Sequence, residues 1–463
     1  MEATIRYPAL NLIVTNSALP SLLVENNMVK ISYNLLKADA LYGTLGETIA
    51  SLLAYPPLDS RGVWSDLRKL ASYYKMRTVQ FSLNDLSKAF DILALKVRIT
   101  PLYPLARKAE IVDGLLSKLY LSMESNLDEK ARVTREYKTI LDEVGGVSYN
   151  NGFYAIEEPE KLINKSIGNP PIPPSDITRA MAARLLKKVR SEVEGPELRI
   201  TGYHALLNST RINLKCGKPE EIVKEYLNCE GKVKCSQGHA ISSSILCKCQ
   251  DLKLVVKDYA RMGGKWIILK IMAKPMIEYR VSPRARMISE YNAMQRLSQV
   301  EGVEIPFFHE LCSTQIQKAL SVREYLEGKI LRETNHPDYW VKAGKALGAI
   351  HHFGITLGDA NSGNFVLTKG NNVGVLDAEQ SYDYTLKTGV WDIVTFISTS
   401  VFWKIEQSLI IRFLEAYMEK APEPLNVLKE ASKASTWIGI LPTVPYVYIQ
   451  SKRILDQLVR TVN

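Results

Sequence analysis

The stretch Asp359-Ala360-Asn361-Ser362-Gly363-Asn364, followed after a short apolar run and a turn by Val375-Leu376-Asp377, constrains this chain more tightly than any other. Upstream, Tyr339 to Phe353 sets Trp340, Ala343, Leu347 and Ile350 at three- and four-residue spacing, which predicts an amphipathic helix. Gly354 ends it in the manner of a C-cap glycine. Ile355-Thr356-Leu357 leads into a Gly358-Asp359 turn. Asn364 to Leu367 then leaves as a strand, turns at Lys369-Gly370-Asn371-Asn372 and returns over Val373 to Leu376. Such a hairpin brings Asn364 and Asp377 near each other, and places Asp359 where it can face the same pocket.

Asp and Asn favour turns for local hydrogen-bonding reasons, so one D-x-x-x-x-N alone would signify little. With the preceding helix, the hairpin and a second Asp in order, the three can hold a divalent metal against ATP phosphates. Asp359 would orient a substrate hydroxyl and accept its proton, while Asn364 and Asp377 bind Mg2+. GKALGAIHHFGITLGDANSGNFVL followed by VGVLDAEQ resembles the catalytic and metal loops of the protein-kinase-like superfamily. In style it is similar to the RIO kinases, the kinase subunit of the KEOPS complex, and the sugar and lipopolysaccharide kinases. That resemblance implies MgATP as cofactor and a protein or small-molecule hydroxyl as acceptor.

The remaining parts occur upstream in the order the resemblance requires. Leu252 to Tyr259 (LKLVVKDY) alternates like a half-buried strand, and Arg284 to Leu297 (RARMISEYNAMQRL) reads as a helix. The resemblance makes Lys257 the phosphate lysine and Glu290 its helix glutamate, with Lys253 on the same strand as competitor. Ala319 to Gly328 (ALSVREYLEG) resembles the strand and hinge that contact adenine through main-chain atoms, at Glu324 and Leu326. Gly238, within Cys235 to Ser244 (CSQGHAISSS), is the candidate for cradling phosphate, one glycine where typical protein kinases have three. Asp392 resembles the buried aspartate that braces the catalytic loop.

Three departures mark an atypical member. Arg323 stands where an apolar residue usually lines the adenine pocket, Leu357 replaces the histidine before Gly-Asp, and Asp377-Ala378-Glu379-Gln380 replaces DFG. Few residues separate Asp377 from the helix containing Trp391, which leaves no room for a long activation segment. The resemblance therefore implies an atypical serine/threonine protein kinase or autokinase. A sugar or lipid kinase, and a non-catalytic or ATPase-like kinase-fold subunit of a tRNA- or ribosome-associated assembly, are the alternatives.

At 463 residues and 46% apolar content the chain can bury two or three cores. The fold class expected is α/β (α+β): a mainly helical N-terminal domain at 1–165, a proline-rich linker and basic helix at 166–197, and a bilobal kinase-like domain at 198–463. Its lobes would meet near residue 326. In the N-terminal third, strands are expected near Leu10–Val14 and Met28–Ser32. Helices are expected at Asn34–Leu53, Val63–Tyr74, Leu83–Leu95, Ala109–Met123 and Asp128–Val144.

No stretch approaches the roughly 20 uninterrupted apolar residues that span a bilayer. MEATIRYP lacks the layout of a signal peptide, so a cytoplasmic protein without membrane partners is expected. Residues 179–299 hold 23 Lys/Arg against 11 Asp/Glu, while the flanking regions are near balance at 20 against 20 and 16 against 18. Solvated helix faces account for such clusters most simply; RNA or an acidic partner is the functional alternative. Five of the six cysteines lie between Cys216 and Cys249 without the paired spacing of a zinc site. Alternation puts Cys247 and Cys249 on one strand face as ordinary core residues, which is expected ahead of a metal or a disulfide.

Overall fold

The computed structural model describes residues 2–112, 114–158, 176–227, 232–237, 243–261, 267, 270, 277–314, 318–437 and 445–462. The chain divides into two compact units, Met1–Lys215 and Cys216–Asn463.

The first unit opens with β1 (Glu2–Arg6), β2 (Asn11–Thr15), β3 (Leu22–Glu25), β4 (Met28–Ser32) and β5 (Asp59–Arg61), ordered β3-β4-β2-β1-β5. Period-two alternation buries Ala3, Ile5, Leu12, Val14, Val29 and Ile31. Five helices follow: α1 (Tyr33–Tyr42), α2 (Ser65–Phe90), α3 (Tyr103–Val112), α4 (Leu115–Glu124) and α5 (Leu127–Val144), the helix expected over Ala109–Met123 being divided between α3 and α4. The helix expected over Asn34–Leu53 stops at Gly43, whose φ of 64° suits a left-handed C-cap. Beyond it the buried Asp39 carboxylate accepts from the N–H groups of Leu45, Glu47 and Ala50 at 2.7, 3.0 and 2.9 Å, fixing a turn where the helix would have run. Conversely, the two helices expected over Val63–Leu95 merge into α2. Thr78 and Ser82 lie buried within it and hydrogen-bond back to the Tyr74 and Thr78 carbonyls, so they do not interrupt the helix.

Then come β6 (Arg98–Ile99), β7 (Val147–Asn150), β8 (Phe153–Ile156), α6 (Asp176–Lys188), α7 (Arg190–Val193), β9 (Ala205–Leu207) and β10 (Thr210–Asn213). Most of the proline-dense linker lies outside the described residues. β9 pairs with β6, Ile99 opposite Ala205 and Arg98 opposite Leu206. β9 and β10 lie in the first unit, which runs to Lys215, whereas the kinase-like domain is expected from residue 198.

The second unit is bilobal. Its smaller lobe contains α8 (Pro219–Leu227), β11 (Lys234–Gln237), β12 (Ser244–Cys249), β13 (Leu252–Asp258), α9 (Pro283–Leu297), β14 (Val303–Glu304), β15 (Phe308–Ser313) and β16 (Ala319–Glu324). The antiparallel order is β11-β12-β13-β16-β15. One face packs on α8 through Ile222, Val223, Ile245, Cys247, Leu254, Val256, Leu320 and Val322. Because side chains alternate, Lys257 and the residues opposite it point to the other face, toward α9.

The cysteines differ from the expectation. Cys235 and Cys247 are direct partners in the β11–β12 register and form a disulfide, and Cys216 is joined to Cys312. Cys249 is also disulfide-bonded. Direct cross-strand register places two side chains on the same face at bonding distance, which single-strand alternation cannot reveal.

The larger lobe comprises β17 (Gly328–Ile330), α10 (Pro337–His352), β18 (Ile355–Thr356), β19 (Phe365–Thr368), β20 (Val373–Val375), β21 (Tyr382–Asp383), α11 (Leu386–Phe402), α12 (Gln407–Met418), α13 (Pro424–Ala431) and α14 (Pro445–Val462). Its centre is aromatic and aliphatic: Phe396 stacks on Phe413 at 3.6 Å between centroids, and Trp340 and Phe365 meet Phe396 edge-on. Gly344 lets α10 and α12 touch, since a Cβ there would lie 2.1 Å from the Phe413 carbonyl oxygen. Among the described residues no helix is long and apolar enough to cross a membrane.

Candidate active site

The loop between β18 and β19 is held from below. Asp392 on α11 accepts from the N–H groups of Leu357 and Gly358, both at 2.7 Å, and from His351 Nε2 at 3.0 Å. His351 in turn meets the Tyr417 hydroxyl at 2.9 Å. Trp391 Nε1 and Tyr279 Oη donate to the Gly358 carbonyl at 3.1 and 3.3 Å. Gly358 adopts φ of 72°, and a Cβ at this position would lie 2.1 Å from the Gln380 carbonyl oxygen. Only glycine satisfies both conditions.

Above that brace the loop turns on its own side chains. Asn364 Nδ2 donates to the Asp359 carbonyl at 2.8 Å, and Asn361 Nδ2 reaches Asp359 Oδ1 at 3.3 Å. This directs the Asn364 amide oxygen away from the Asp359 carbonyl. The hairpin expected from sequence is present, with Phe365 opposite Val375, and Leu376 N–H donates to the Asn364 carbonyl at 2.9 Å. Asp377 follows one residue later, so the hairpin brings Asn364 and Asp377 together. Asp359, Asn364 and Asp377 are all half-buried while Ala360, Ser362, Phe365 and Ala378 around them are buried.

Asp377 then meets the smaller lobe. Lys257 Nζ lies 2.9 Å from Asp377 Oδ2, 3.0 Å from Glu290 Oε2 and 3.4 Å from Glu379 Oε2. In the β13–β16 register Lys257 is opposite Ser321 and Val255 opposite Arg323, so Lys257 and Arg323 share the face that looks at α9. Arg323 Nη1 meets Glu290 Oε1 at 2.8 Å, and Arg286 Nη1 meets Glu379 Oε2 at 3.1 Å. Tyr259 Oη donates to Glu290 Oε2 at 2.5 Å. Three cations thus face three carboxylates in a nearly dry environment, which is tolerable because the opposite charges are paired at 2.8–3.4 Å.

Electrostatics separate the carboxyls. Burial pushes Asp377 up, but Lys257, then Arg323 and the Glu379 N–H, outweigh it and hold the group below its ordinary range. Glu379 goes the other way: burial pushes it up to about 7 against the pull of Lys257, with Asp377 adding repulsion. Burial acts to lower Lys257, yet Asp377, Glu290 and Glu379 together raise it above its usual value.

Oxygens of Glu290, Asp377 and Glu379 lie within 4.8 Å of one another, the spacing of a metal site. Lys257 already supplies a cation to all three, so Mg2+ fits better on the part of Asp377 that stays exposed, 26% at its side chain, one residue beyond the backbone bond from Leu376 to Asn364. Both offer hard oxygen donors, and Asp377 is held ionised, as Mg2+ prefers.

Other expected positions fall as follows. Lys253 pairs with Glu327 at 2.9 Å near the surface, leaving the interior role to Lys257. Glu324 is exposed and its N–H donates to the Phe307 carbonyl at 2.9 Å, so a contact from Glu324 to a base would use its carbonyl. Leu326 packs over β20, with Cδ1 3.0 Å from where a Gly374 Cβ would be. Gly238 lies outside the described residues. Arg286 and Glu379 were missed as members of the cluster. Arg323, a departure from the family pattern, turns out to be the second partner of Glu290. Within the basic stretch 179–299 two residues do not belong to a solvated helix face: Arg286 is buried, and Arg280 Nη1 donates to the Ser381 carbonyl at 2.7 Å.

No family model matches this chain, and no curated protein does. Among solved structures, a spectinomycin phosphotransferase in complex with ADP and spectinomycin is similar over 51% of this chain and 92% of its own, at 10% identity and a TM-score of 0.32. So slight a likeness bears on neither substrate nor mechanism.

Proposed function

We propose that the second unit is an ATP-dependent phosphotransferase, an atypical serine/threonine protein kinase or autokinase that uses MgATP. The observation that carries this reading is the meeting of Asp377 with Lys257 and Glu290 beside the braced Asp359–Asn364 loop. In it, Lys257 neutralises phosphate oxygens and Glu290, fixed by Arg323 and Tyr259, aims the lysine. Asn364 and Asp377 would hold Mg2+, which would supply positive charge to the phosphates. Asp359 takes the proton as the acceptor oxygen bonds to the γ-phosphorus, while the bond between that phosphorus and the β–γ bridging oxygen breaks and ADP leaves. Glu324 and Leu326 would border the adenine.

The short path from Asp377 to α11 favours a small-molecule hydroxyl as the second reading, because it provides no extended peptide-docking segment. The basic stretch 179–299 suits an RNA or acidic partner, as a kinase-fold subunit of a larger assembly would need. A cytoplasmic location belongs to the same proposal, and with these disulfides it implies an interior where such bonds persist, as in hyperthermophiles.

Incubating the purified chain with γ-labelled ATP, alone and with cell extract, separates the readings. Label on this chain or on another protein supports the kinase assignment, and label on a metabolite supports the second reading. Asp359→Ala should slow transfer by about 10²–10⁴-fold. Transfer that survives this substitution at full rate would remove Asp359 from the mechanism.

A further inference from the structure

On the side of the catalytic loop formed by Asn361 to Gly363 lies an arginine that the phosphate-binding machinery does not use. Arg332 follows β17, and its backbone N–H donates to the Ser362 carbonyl at 3.2 Å, which ties the residue to the loop. Its guanidinium lies against Gly363: a Cβ there would be 3.1 Å from Nη1 and 3.3 Å from Cζ. The guanidinium also lies over Trp403, with Cζ 4.9 Å from the ring centroid. Trp403 is 55% exposed and its edge-on neighbour Phe402 is 58% exposed, so the end of α11 presents two large aromatic rings to solvent.

Among the described residues no carboxylate is in ion-pair contact with Arg332, although Glu333 is next in sequence and exposed. Every other half-buried cation named around this site has a carboxylate or carbonyl partner. A planar guanidinium stacked on an indole keeps its edge N–H groups directed outward, in the fork that matches phosphate or carboxylate oxygens. Exposed aromatic rings beside it provide an apolar wall for the body of a ligand.

We propose that Arg332, with Trp403 and Phe402, forms the acceptor subsite, and that the acceptor alcohol carries an anionic phosphate or carboxylate group. This rests on the phosphotransferase reading. Arg332 fixes the anion while the aromatic pair supports the remainder of the molecule, and the adjoining loop delivers Asp359 to the hydroxyl. The absence of a side chain at Gly363 leaves the guanidinium room to lie close against the loop.

Inorganic phosphate is the probe. Full-length protein is saturated with MgADP, so that the nucleotide phosphate positions are filled, and MgADP binding is measured in parallel for each variant. Phosphate is then titrated at constant ionic strength while tryptophan fluorescence is followed. Wild type should show a saturable change that disappears in Trp403→Phe and is at least tenfold weaker in affinity in Arg332→Gln; Arg332→Lys should recover part of it. No saturable change in wild type, or one that Arg332→Gln leaves intact, overturns the subsite. Arg332-dependent phosphate binding in a protein that binds no MgADP would sink its assignment to a phosphoryl acceptor, and with it the kinase reading.

Discussion

Single residues carry the site's geometry, and two of them should be intolerant of small changes. Gly358 combines positive φ with contact against the Gln380 carbonyl, so Gly358→Ala should cost about 2–3 kcal/mol in a denaturant melt. A variant within 0.5 kcal/mol of wild type would show that the loop can shift without strain. Arg323 was legible only as an irregularity, a charge where the resemblance leads one to expect an apolar side chain. Its partner Glu290 lies across the sheet–helix interface, and no local pattern links them. Arg323→Met leaves Glu290 with one cation fewer in a dry setting and should destabilise the protein by about 3 kcal/mol. Glu379 and Arg286 were hidden for the same reason: their pairing joins positions 93 residues apart.

Elements were read better than their partners. Helix α10, strand β13, helix α9 and the β19–β20 hairpin all fall within a few residues of the expected limits, because periodicity and turn residues are local signals. Limits failed where a side chain from another turn intervened, as Asp39 does beyond α1. Pairing across a sheet was not legible, and this is why the cysteines were taken for ordinary core residues. The Cys216–Cys312 bond closes a loop of 96 residues in sequence separation, so chain entropy predicts a large contribution. Replacing both cysteines by serine should lower unfolding free energy by about 4 kcal/mol. Equal stability of reduced and oxidised protein would contradict this.

At the scale of the whole molecule, the two units differ in what the sequence revealed. The second carries a few motifs on which a functional expectation could rest; the first has no such motif, and its β6–β9 pairing spans about a hundred residues of sequence. The first unit nevertheless has a distinct pH signature. His204 is enclosed by the Tyr120 hydroxyl at 2.5 Å and the Thr100 hydroxyl at 2.7 Å, and burial pushes its imidazole down to about 4. A depressed folded-state value means that the unfolded chain binds the extra proton first. The stability from neutral His204 is therefore complete above about pH 6.5 and is lost as pH falls toward 4, by at most about 3 kcal/mol. Denaturant melts between pH 7 and 4.5 should show this slope in wild type and a shallower one in His204→Gln; parallel curves would exclude the histidine as its source.

The central proposal is that Asp377, in contact with Lys257, makes the cleft competent for phosphoryl transfer. Its most direct test is the rate of γ-phosphate transfer from labelled ATP, measured with Mg2+ for wild type and Asp377→Asn at matched folded concentrations. Wild type should transfer label in a Mg2+-dependent manner and Asp377→Asn should lose at least about a hundredfold. Transfer of equal rate in the two proteins, or transfer indifferent to Mg2+, would contradict the account.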